Sequence, residues 1–431
     1  MKLKQTLLSA AACLASLTSL QVHAAEGAVP HGVPHLDHVF VVVMENHGYS
    51  QLMNNPNAPF INAYAKSANL ATRYFAVGHP SLTNYLEIVG GSNFGVQSDN
   101  APDWHNTACA SNLISGVANT DNPPSGKICP IAGMGSDAAT PAIDTVNEVQ
   151  GAPGEANIDG VRSVPADPHT VGITIADQLV RAGLSWKSYQ EDLPAQGADG
   201  VDYSDGHYTN HTDFSQIKPT LNPPLSQANV VALYASKHNP FAYFASVQEG
   251  MDPANSMRNM VGFNGPKGLY ADLATGHVPS LSFIAPNQCN DQHGRGNGGA
   301  FCNYDPQDDG SQAGLNPALI QRGDDTVKEI VSSIKHSPAW KKGRNAIVVV
   351  WDENDYSTLP NNNQVMTIVD TNYGAHKVSS AVSYDHFSLL RSLESGFNLP
   401  CLNHACDKNT HVMSDLFAEG HGRRDEDDWM H

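Results

Sequence analysis

The chain has 431 residues, with 43 acidic against 24 basic side chains and a formal net charge of −19. This balance excludes non-specific nucleic-acid binding, because too few cations are available to release phosphate counterions. Small phosphates can still bind where a metal ion or a helix N-terminus supplies local positive potential.

The first 24 residues have the features of a secretory signal. Lys2 and Lys4 precede a mostly apolar stretch from Leu7 to Leu20, and Ala24 ends a small-residue cleavage site. The stretch is too short and too rich in Ala and Ser to predict a membrane span. We therefore expect a secreted or periplasmic protein with no stable membrane anchor.

Strands and helices alternate along the rest of the chain. Apolar runs at Val39–Met44 and Ala346–Trp351 predict strands that are buried on both faces. The other predicted elements are helices at Pro59–Ala65, Ser81–Gly90, Thr174–Ala182, Asp324–Lys335 and His386–Ser395, and strands at Ser185–Tyr189, Phe241–Phe244 and Ser280–Ile284. The stretch 95–168, rich in Gly, Pro, Asn and Asp, predicts an insertion. Together these elements predict an α/β fold with a mainly parallel central sheet flanked by helices.

Six cysteines lie outside the signal, an even number that predicts disulfides in an exported chain. They fall into close neighbours: Cys109 with Cys129, Cys289 with Cys302, and Cys401 with Cys406. Six cysteines allow about 15 connectivities, and sequential pairing is the simplest of them. The spacings are not those of a zinc site.

Oxygen-bearing side chains follow the two buried strands where each of them ends. Glu45 and Asn46 follow the first strand, and Asp352 and Glu353 end the second. Because ligands bind at the carboxyl ends of strands in open α/β sheets, we expect the four to meet there. Carboxylates brought together repel each other unless a cation lies among them, and hard divalent ions prefer oxygen ligands. The pattern therefore predicts a divalent metal site.

A hydroxyl at a helix start is the candidate nucleophile. Ser81 follows Pro80 at the predicted beginning of a helix, where positive potential lowers the cost of forming an alkoxide. Next to a divalent ion such a hydroxyl can attack phosphorus or carbon. A plain helix cap is the alternative role for Ser81, and Thr83 is the rival hydroxyl.

Further polar residues occupy the ends of other predicted elements. Asp291 and His293 follow the strand at Ser280–Ile284, and His386 begins the last helix. Either histidine could be structural, but their positions among acids and amides favour a role in the site. His79, two residues before Ser81, is equally compatible with a contact to the site and with packing of the turn.

Five motifs in order resemble the bacterial phosphoesterase family of secreted acid phosphatases and phospholipases C, within the alkaline phosphatase superfamily. The motifs are Val43 to His47, Pro80 to Leu86, Pro286 to His293, Trp351 to Asp355 and Tyr384 to Leu390. The resemblance runs from about residue 36 to 400. It implies a catalytic domain over 36–400 with an insertion at about 95–168, after the signal at 1–24 and a leader at 25–35. A polar, acidic segment at 401–431 follows.

The resemblance also implies roles for the candidate residues. Glu45, Asn46, Asp352 and Glu353 match metal ligands, Ser81 matches a metal-bound nucleophile that becomes a phosphoserine, and Asn84 matches a donor to the phosphate. Asp291, His293 and His386 match positions that hold a second ion in two-metal relatives and contact phosphate or leaving group in single-metal relatives. We expect His386 or His293 to move protons and His79 and Asp291 to lie near the substrate.

The predicted function is a metal-dependent hydrolase of phosphate monoesters of the acid phosphatase type. His47-Gly48-Tyr49-Ser50 after Glu45-Asn46 is closer to the acid phosphatase branch than to the Arg-Ser-Phe-Asp of phospholipases. A phospholipase C-type phosphodiesterase is the second hypothesis, and a non-catalytic, calcium-stabilised exported binding protein is the third. The ion could be Mg²⁺, Ca²⁺, Mn²⁺, Zn²⁺ or Fe, a second ion stays open, and the oligomeric state cannot be predicted.

Overall fold

A computed structural model describes residues 26–96, 98–109, 127–135, 143–144, 155–156, 169–201, 233–294, 317–354 and 362–419. The predicted signal at 1–24, Cys302, Asp355 and most of the predicted insertion lie outside these ranges. None of the helices in the described ranges is both long enough and apolar enough to cross a bilayer.

One nine-stranded sheet organises the molecule. In chain order its strands are β1 (His38–Met44), β2 (Asn69–Phe75), β3 (Trp186–Gln190), β4 (Met260–Val261), β5 (Leu281–Ala285), β6 (Asn345–Trp351), β7 (Gln364–Thr371), β8 (Ser379–Ser380) and β9 (Tyr384–Asp385). The spatial order is β8-β2-β7-β6-β1-β5-β3-β4, and β9 pairs with β2. Two short pairs lie outside this sheet: Met134–Gly135 with Thr170–Val171, and Ile143–Asp144 with Glu155–Ala156.

The centre of the sheet is parallel, as predicted. β6, β1, β5, β3 and β4 run in the same direction, while β7 is antiparallel to both β6 and β2. β1 and β6 pair directly, with Met44 opposite Trp351, so their carboxyl ends are side by side. Every residue of β6 and all but the first of β1 are buried, because both faces of these strands are covered.

Helices cover the sheet in two packed groups. The helices are α1 (Tyr49–Leu52), α2 (Pro59–Ser67), α3 (Ser81–Gly90), α4 (Ile175–Arg181), α5 (Ala245–Gln248), α6 (Leu269–Thr275), α7 (Pro317–His336) and α8 (His386–Phe397). α2 and α6 pack on α7, while α3, α4 and α8 pack on one another. The α/β class with a mainly parallel sheet and flanking helices is thus confirmed.

One predicted element and the predicted start of another are wrong. Phe241–Phe244, expected as a strand, lies mostly in a 3₁₀ helix at Pro240–Tyr243, because Pro240 has no N–H to offer a neighbouring strand. Asp324, expected at the start of a helix, lies within α7. Its carboxylate instead accepts hydrogen bonds from the N–H groups of Phe60 and Ile61 at the start of α2.

Segments at both ends of the described chain pack on the core. Glu26 forms a bridge with Leu402, and Leu416 and Phe417 belong to the hydrophobic core. Two predicted disulfides are formed, Cys109–Cys129 and Cys401–Cys406. The pairing of Cys289 with Cys302 includes a residue outside the described ranges, and the domain boundaries stay a prediction.

Candidate active site

The carboxyl ends of several strands bring the candidate residues to one edge of the sheet. Glu45 follows β1, Asp352 and Glu353 follow β6, and Asp291 lies in the loop after β5. The backbone ties these loops together, because Glu45 N–H donates to the Asp291 carbonyl at 2.9 Å and Asp352 N–H to the Met44 carbonyl at 2.9 Å. The sequence prediction that these positions converge is therefore met.

Ser81 lies between two glutamates. Its Oγ is 3.2 Å from Glu45 Oε2 and 3.2 Å from Glu353 Oε1, and the side chain is fully buried. Ser81 is the first helical residue of α3 and Pro80 is its N-cap. The rival hydroxyl of Thr83 points elsewhere, because it donates to the Pro80 carbonyl at 2.8 Å.

The carboxyl groups of Glu45, Asp352 and Glu353 oppose one another's ionisation. Burial raises the pKa of Asp352 well above its usual range, and the charges of Glu45 and Glu353 raise it further. Asp352 Oδ1 accepts a hydrogen bond from Asn46 N–H at 3.2 Å. Its Oδ2 is buried and accepts no hydrogen bond from the described residues. A buried carboxylate oxygen without a donor, next to two like charges, fits a cation as its partner.

The donor set fits a divalent ion. Glu45, Asp352 and Glu353 offer carboxylate oxygens of the kind that Mg²⁺, Mn²⁺ and Ca²⁺ prefer. Glu45, His238 and His293 form a second group, with ligand atoms all within 4.8 Å of one another. His293 uses both ring nitrogens, towards the Gly294 carbonyl at 2.8 Å and Lys237 Nζ at 3.1 Å. The structure thus offers Glu45, His238 and His293 as a possible metal-binding group, beside the three carboxylates predicted from the sequence.

His238 lies between the carboxylates of Glu45 and Asp291. Its Nε2 lies 3.0 Å from Glu45 Oε1, and its Nδ1 lies 3.3 Å from Asp291 Oδ2. Burial alone would lower the pKa of His238, but the Glu45 charge and the bonds to Asp291 and Glu45 raise it to about 9. Burial likewise favours a higher pKa for Glu45, yet the nearby His238 charge lowers it to about 2.

A buried ion pair supports the turn that contains Ser81. Lys237 Nζ contacts Asp99 Oδ2 at 2.8 Å, and both side chains are fully buried. The other oxygen of Asp99 accepts the N–H of Leu82 at 2.9 Å, one residue after Ser81. Because Lys237 also contacts His293, one cation links the start of α3 to a histidine of the site.

Asn84 and His79 both contact Glu353. Asn84 Nδ2 donates to Glu353 Oε2 at 2.9 Å and to the Gly78 carbonyl at 2.7 Å. His79 Nδ1 lies 2.9 Å from the same Glu353 oxygen, and its Nε2 is 3.2 Å from Asn354 Oδ1. Both amide hydrogens of Asn84 are thus used within the protein, so a bond to a phosphate oxygen requires Asn84 to release one of them.

His386 holds the segment that follows β6 through hydrogen bonds of its ring. Its Nε2 lies 2.6 Å from the Asp352 main-chain carbonyl, and its Nδ1 lies 3.1 Å from the Tyr74 hydroxyl. Burial lowers the pKa of His386 to about 4, against the raising effect of the bond to Asp352. The neutral ring therefore donates from Nε2 and accepts from Tyr74 at Nδ1.

Sequence reasoning missed four residues of the site: Tyr85, Asp99, Lys237 and His238. Tyr85 lies in the motif Pro80 to Leu86, four residues after Ser81. Because residues four apart lie on the same face of a helix, this spacing indicates that Tyr85 is near the site. Asp99 lies in a stretch rich in Gly, Asn and Asp, and Lys237 and His238 lie in a short 3₁₀ helix at Ser236–His238. No pattern in those segments indicates that the three side chains are buried.

Comparison with known proteins identifies the family of this chain. The model of the Phosphoesterase family matches residues 51–301, more than half of the chain. The chain belongs to the Phosphoesterase family. It is therefore a hydrolase that acts on phosphoric esters.

The curated relatives that match this chain are named phosphatases. A phosphatidylinositol-3-phosphatase of Mycobacterium tuberculosis is 24% identical over 91% of this chain and 89% of its own length. An acid phosphatase of Aspergillus fumigatus is 24% identical over 59% of this chain and 36% of its own length. The chain thus spans about a third of that fungal relative.

Similarity to solved structures is more distant. A protein of the alkaline phosphatase superfamily from Vibrio parahaemolyticus has a TM-score of 0.43 and 10% identity. That match covers 89% of this chain and 72% of the solved one.

Proposed function

We propose that this family member is an exported, metal-dependent hydrolase of phosphate monoesters that works through a phosphoserine at Ser81. The position of the Ser81 hydroxyl carries the proposal. It is 3.2 Å from an oxygen of each of two buried glutamates at the start of a helix. A hydroxyl so placed has both a base nearby and a positive helix terminus beneath it.

Glu45, Asp352 and Glu353 would hold one divalent ion, with Asn46 and Ser81 as the further predicted ligands. When bound there, such an ion supplies Lewis acidity that favours ionisation of the serine hydroxyl and offsets charge on the phosphate. The orphaned Asp352 Oδ2 supports this assignment.

The reaction would proceed in two steps, formation and hydrolysis of a phosphoserine. Ser81 Oγ loses its proton to a neighbouring glutamate and attacks phosphorus, and the bond from phosphorus to the leaving alcohol breaks in line. In the second step water attacks phosphorus and the bond to Ser81 Oγ breaks, which returns the serine and releases phosphate. Asn84 would donate to a phosphate oxygen after exchanging one of its present acceptors, and His79 would steady Glu353 during that exchange.

His293 is the better placed of the two histidines predicted to move protons. It is partly exposed, so a leaving alcohol can reach it, whereas His386 is fully buried. After exchanging its contact with Lys237 Nζ, His293 Nε2 would give a proton to the leaving oxygen and take one from the attacking water. His386 would instead hold the Asp352 carbonyl, and Asp291 would steady His238 beside Glu45.

The relatives support a monoester substrate. The mycobacterial relative, which aligns with nearly the whole chain, is named a phosphatidylinositol-3-phosphatase, and the fungal ones are named acid phosphatases. Export is supported by the disulfides Cys109–Cys129 and Cys401–Cys406, which form in oxidising compartments. We expect a small phosphate ester as the partner and neither nucleic acid nor a stable membrane anchor.

A paired hydrolysis assay tests the proposal. Purified protein is given p-nitrophenyl phosphate or p-nitrophenylphosphorylcholine, with and without chelator, from acid to neutral pH. Chelator-sensitive release from the monoester alone is the expected result. Faster release from the choline diester would favour a phospholipase C-type activity. No release from either, in a folded protein that binds Ca²⁺, would favour the non-catalytic binding protein.

A further inference from the structure

Each of the two glutamates beside Ser81 directs one carboxylate oxygen to Ser81 and the other to a later residue of the same helix. Glu45 Oε2 and Glu353 Oε1 face the Ser81 hydroxyl, each at 3.2 Å. The other oxygens are held by the next residues of the same helix. Asn84 Nδ2 donates to Glu353 Oε2 at 2.9 Å, and the Tyr85 hydroxyl donates to Glu45 Oε1 at 2.6 Å. One turn of α3 thus carries the nucleophile and a donor for each glutamate.

The Tyr85 ring is fixed by its surroundings. The side chain is fully buried and stacks flat on His238, with the ring centroids 5.2 Å apart and an angle of 8° between the rings. Phe283 of β5 packs against it at 6.1 Å and a tilt of 60°. His238 Nε2 lies 3.0 Å from the same Glu45 oxygen. This packing holds the ring plane in place, and a flip of the ring about its axis leaves the hydroxyl at Glu45.

We propose that Tyr85 is a positioning residue that sets the affinity of the carboxylate cluster for its divalent ion. This inference rests on the metal-dependent function proposed above. Without the Tyr85 hydrogen bond, repulsion from Asp352 would favour rotation of the Glu45 carboxylate away from the cluster. Groups that orient a metal ligand through a hydrogen bond typically contribute about 10- to 100-fold to metal affinity.

Because Tyr85 and Ser81 lie four residues apart on one helix, the same contact links metal affinity to the position of the nucleophile. A shift of α3 would move the Ser81 hydroxyl and the Tyr85 donor together. Loss of the phenol would therefore loosen Glu45 relative to Ser81, while the helix and its stacked ring stay in place.

The test compares Tyr85→Phe with a matched control, Tyr189→Phe. Tyr189 is also fully buried, and its hydroxyl donates to Asp272 Oδ2 at 2.6 Å, on a carboxylate outside the site. Both variants lose one phenol–carboxylate bond of the same length. Mn²⁺ affinity of the chelator-stripped full chain is measured by calorimetry, and circular dichroism checks folding.

We expect Tyr85→Phe to weaken Mn²⁺ binding by about 10- to 100-fold and Tyr189→Phe to leave it within about twofold. Hydrolysis by Tyr85→Phe should then fall more at limiting than at saturating Mn²⁺. Unchanged Mn²⁺ affinity in Tyr85→Phe, or an equal loss in Tyr189→Phe, would overturn the inference while the proposed function stands. Absence of Mn²⁺ binding and of hydrolysis in the wild type would overturn both.

A second variant covers the case in which Tyr85→Phe does not fold. Asn84→Ala removes the corresponding donor to Glu353 and carries the same expectation for Mn²⁺ affinity. If folded Asn84→Ala bound Mn²⁺ as the wild type does, donors from α3 would not set the affinity of the cluster and the inference would fail.

Discussion

Ser81 and Thr83 are two residues apart, yet only one hydroxyl faces the carboxylates. Ser81 Oγ contacts Glu45 and Glu353, while Thr83 donates to the Pro80 carbonyl. We expect Ser81→Ala to lower kcat by at least about three orders of magnitude, because loss of a nucleophile abolishes the covalent route. Thr83→Ala should keep activity within about tenfold. Steady-state assays with matched circular dichroism spectra check this, and the reverse pattern would assign the nucleophile to Thr83.

The buried pair of Lys237 and Asp99 is the site's most costly element to disturb. Lys237→Met leaves the Asp99 carboxylate buried without its cation, which typically costs about 3–5 kcal/mol of unfolding free energy. The double variant Lys237→Met/Asp99→Asn leaves no isolated charge and should recover part of that loss. Urea unfolding of the two variants measures the difference. A double variant less stable than Lys237→Met would show that the pair is not coupled in this way.

At the scale of single elements, what the sequence could predict depended on local pattern. The start of α3 after Pro80 and the strands β1 and β6 follow from backbone constraint and apolar periodicity, and they lie where they were predicted. Asp324 shows where local pattern fails. Its acidic motif is typical of a helix start, but the carboxylate caps α2, which is 264 residues away from it in sequence at Phe60. Only the tertiary fold determines such a contact.

Helix α8 contains a buried carboxyl that makes stability depend on pH. Burial raises the pKa of Glu394 well above the usual range of a glutamate, although the Leu402 N–H and Arg391 act in the opposite direction. The folded protein thus keeps a proton that the unfolded chain releases. Its stability contribution is complete below the unfolded pKa and declines as pH rises towards the folded pKa, by about 1.4 kcal/mol per pH unit.

We therefore expect Glu394→Gln to gain stability relative to the wild type as pH rises from 4 to 8. A glutamine oxygen can still accept the Leu402 N–H, as Glu394 Oε1 does at 2.8 Å. Thermal unfolding across this pH range measures the difference in melting temperature. The exposed Glu249→Gln serves as the control and should show no such trend. A flat difference for Glu394→Gln would mean that Glu394 is ionised in the folded protein.

At the scale of the whole molecule, parallel strands assemble the site from distant parts of the sequence. The alternation of strands and helices predicted the sheet and the convergence of Glu45, Asp352 and Glu353 at its edge. It could not predict Lys237 or His238, because these belong to a short 3₁₀ helix at Ser236–His238 whose burial depends on packing against α3. The topology of the sheet determines where the strand ends lie. The position of a loop instead depends on tertiary contacts, which produce no hydrophobic periodicity in the sequence.

The charge of the assembled site should make global stability depend on a metal ion. At 100 times its dissociation constant, an ion bound only by the folded state stabilises it by about 2.7 kcal/mol. Asp352→Asn removes one of the mutually repelling charges. We expect it to raise the melting temperature of the stripped protein and to abolish the increase on adding Mn²⁺. Calorimetric scans with and without Mn²⁺ test this, and an undiminished Mn²⁺ effect in Asp352→Asn would exclude Asp352 as a ligand.

The covalent step at Ser81 is the central claim, and trapping the phosphorylated enzyme tests it most directly. Turnover of p-nitrophenyl phosphate is quenched in acid, and the digested protein is mapped by mass spectrometry. We predict a phosphate on the peptide that contains Ser81 in the wild type and none on that peptide in Ser81→Ala. An active enzyme whose phosphate is found on another residue would contradict the account.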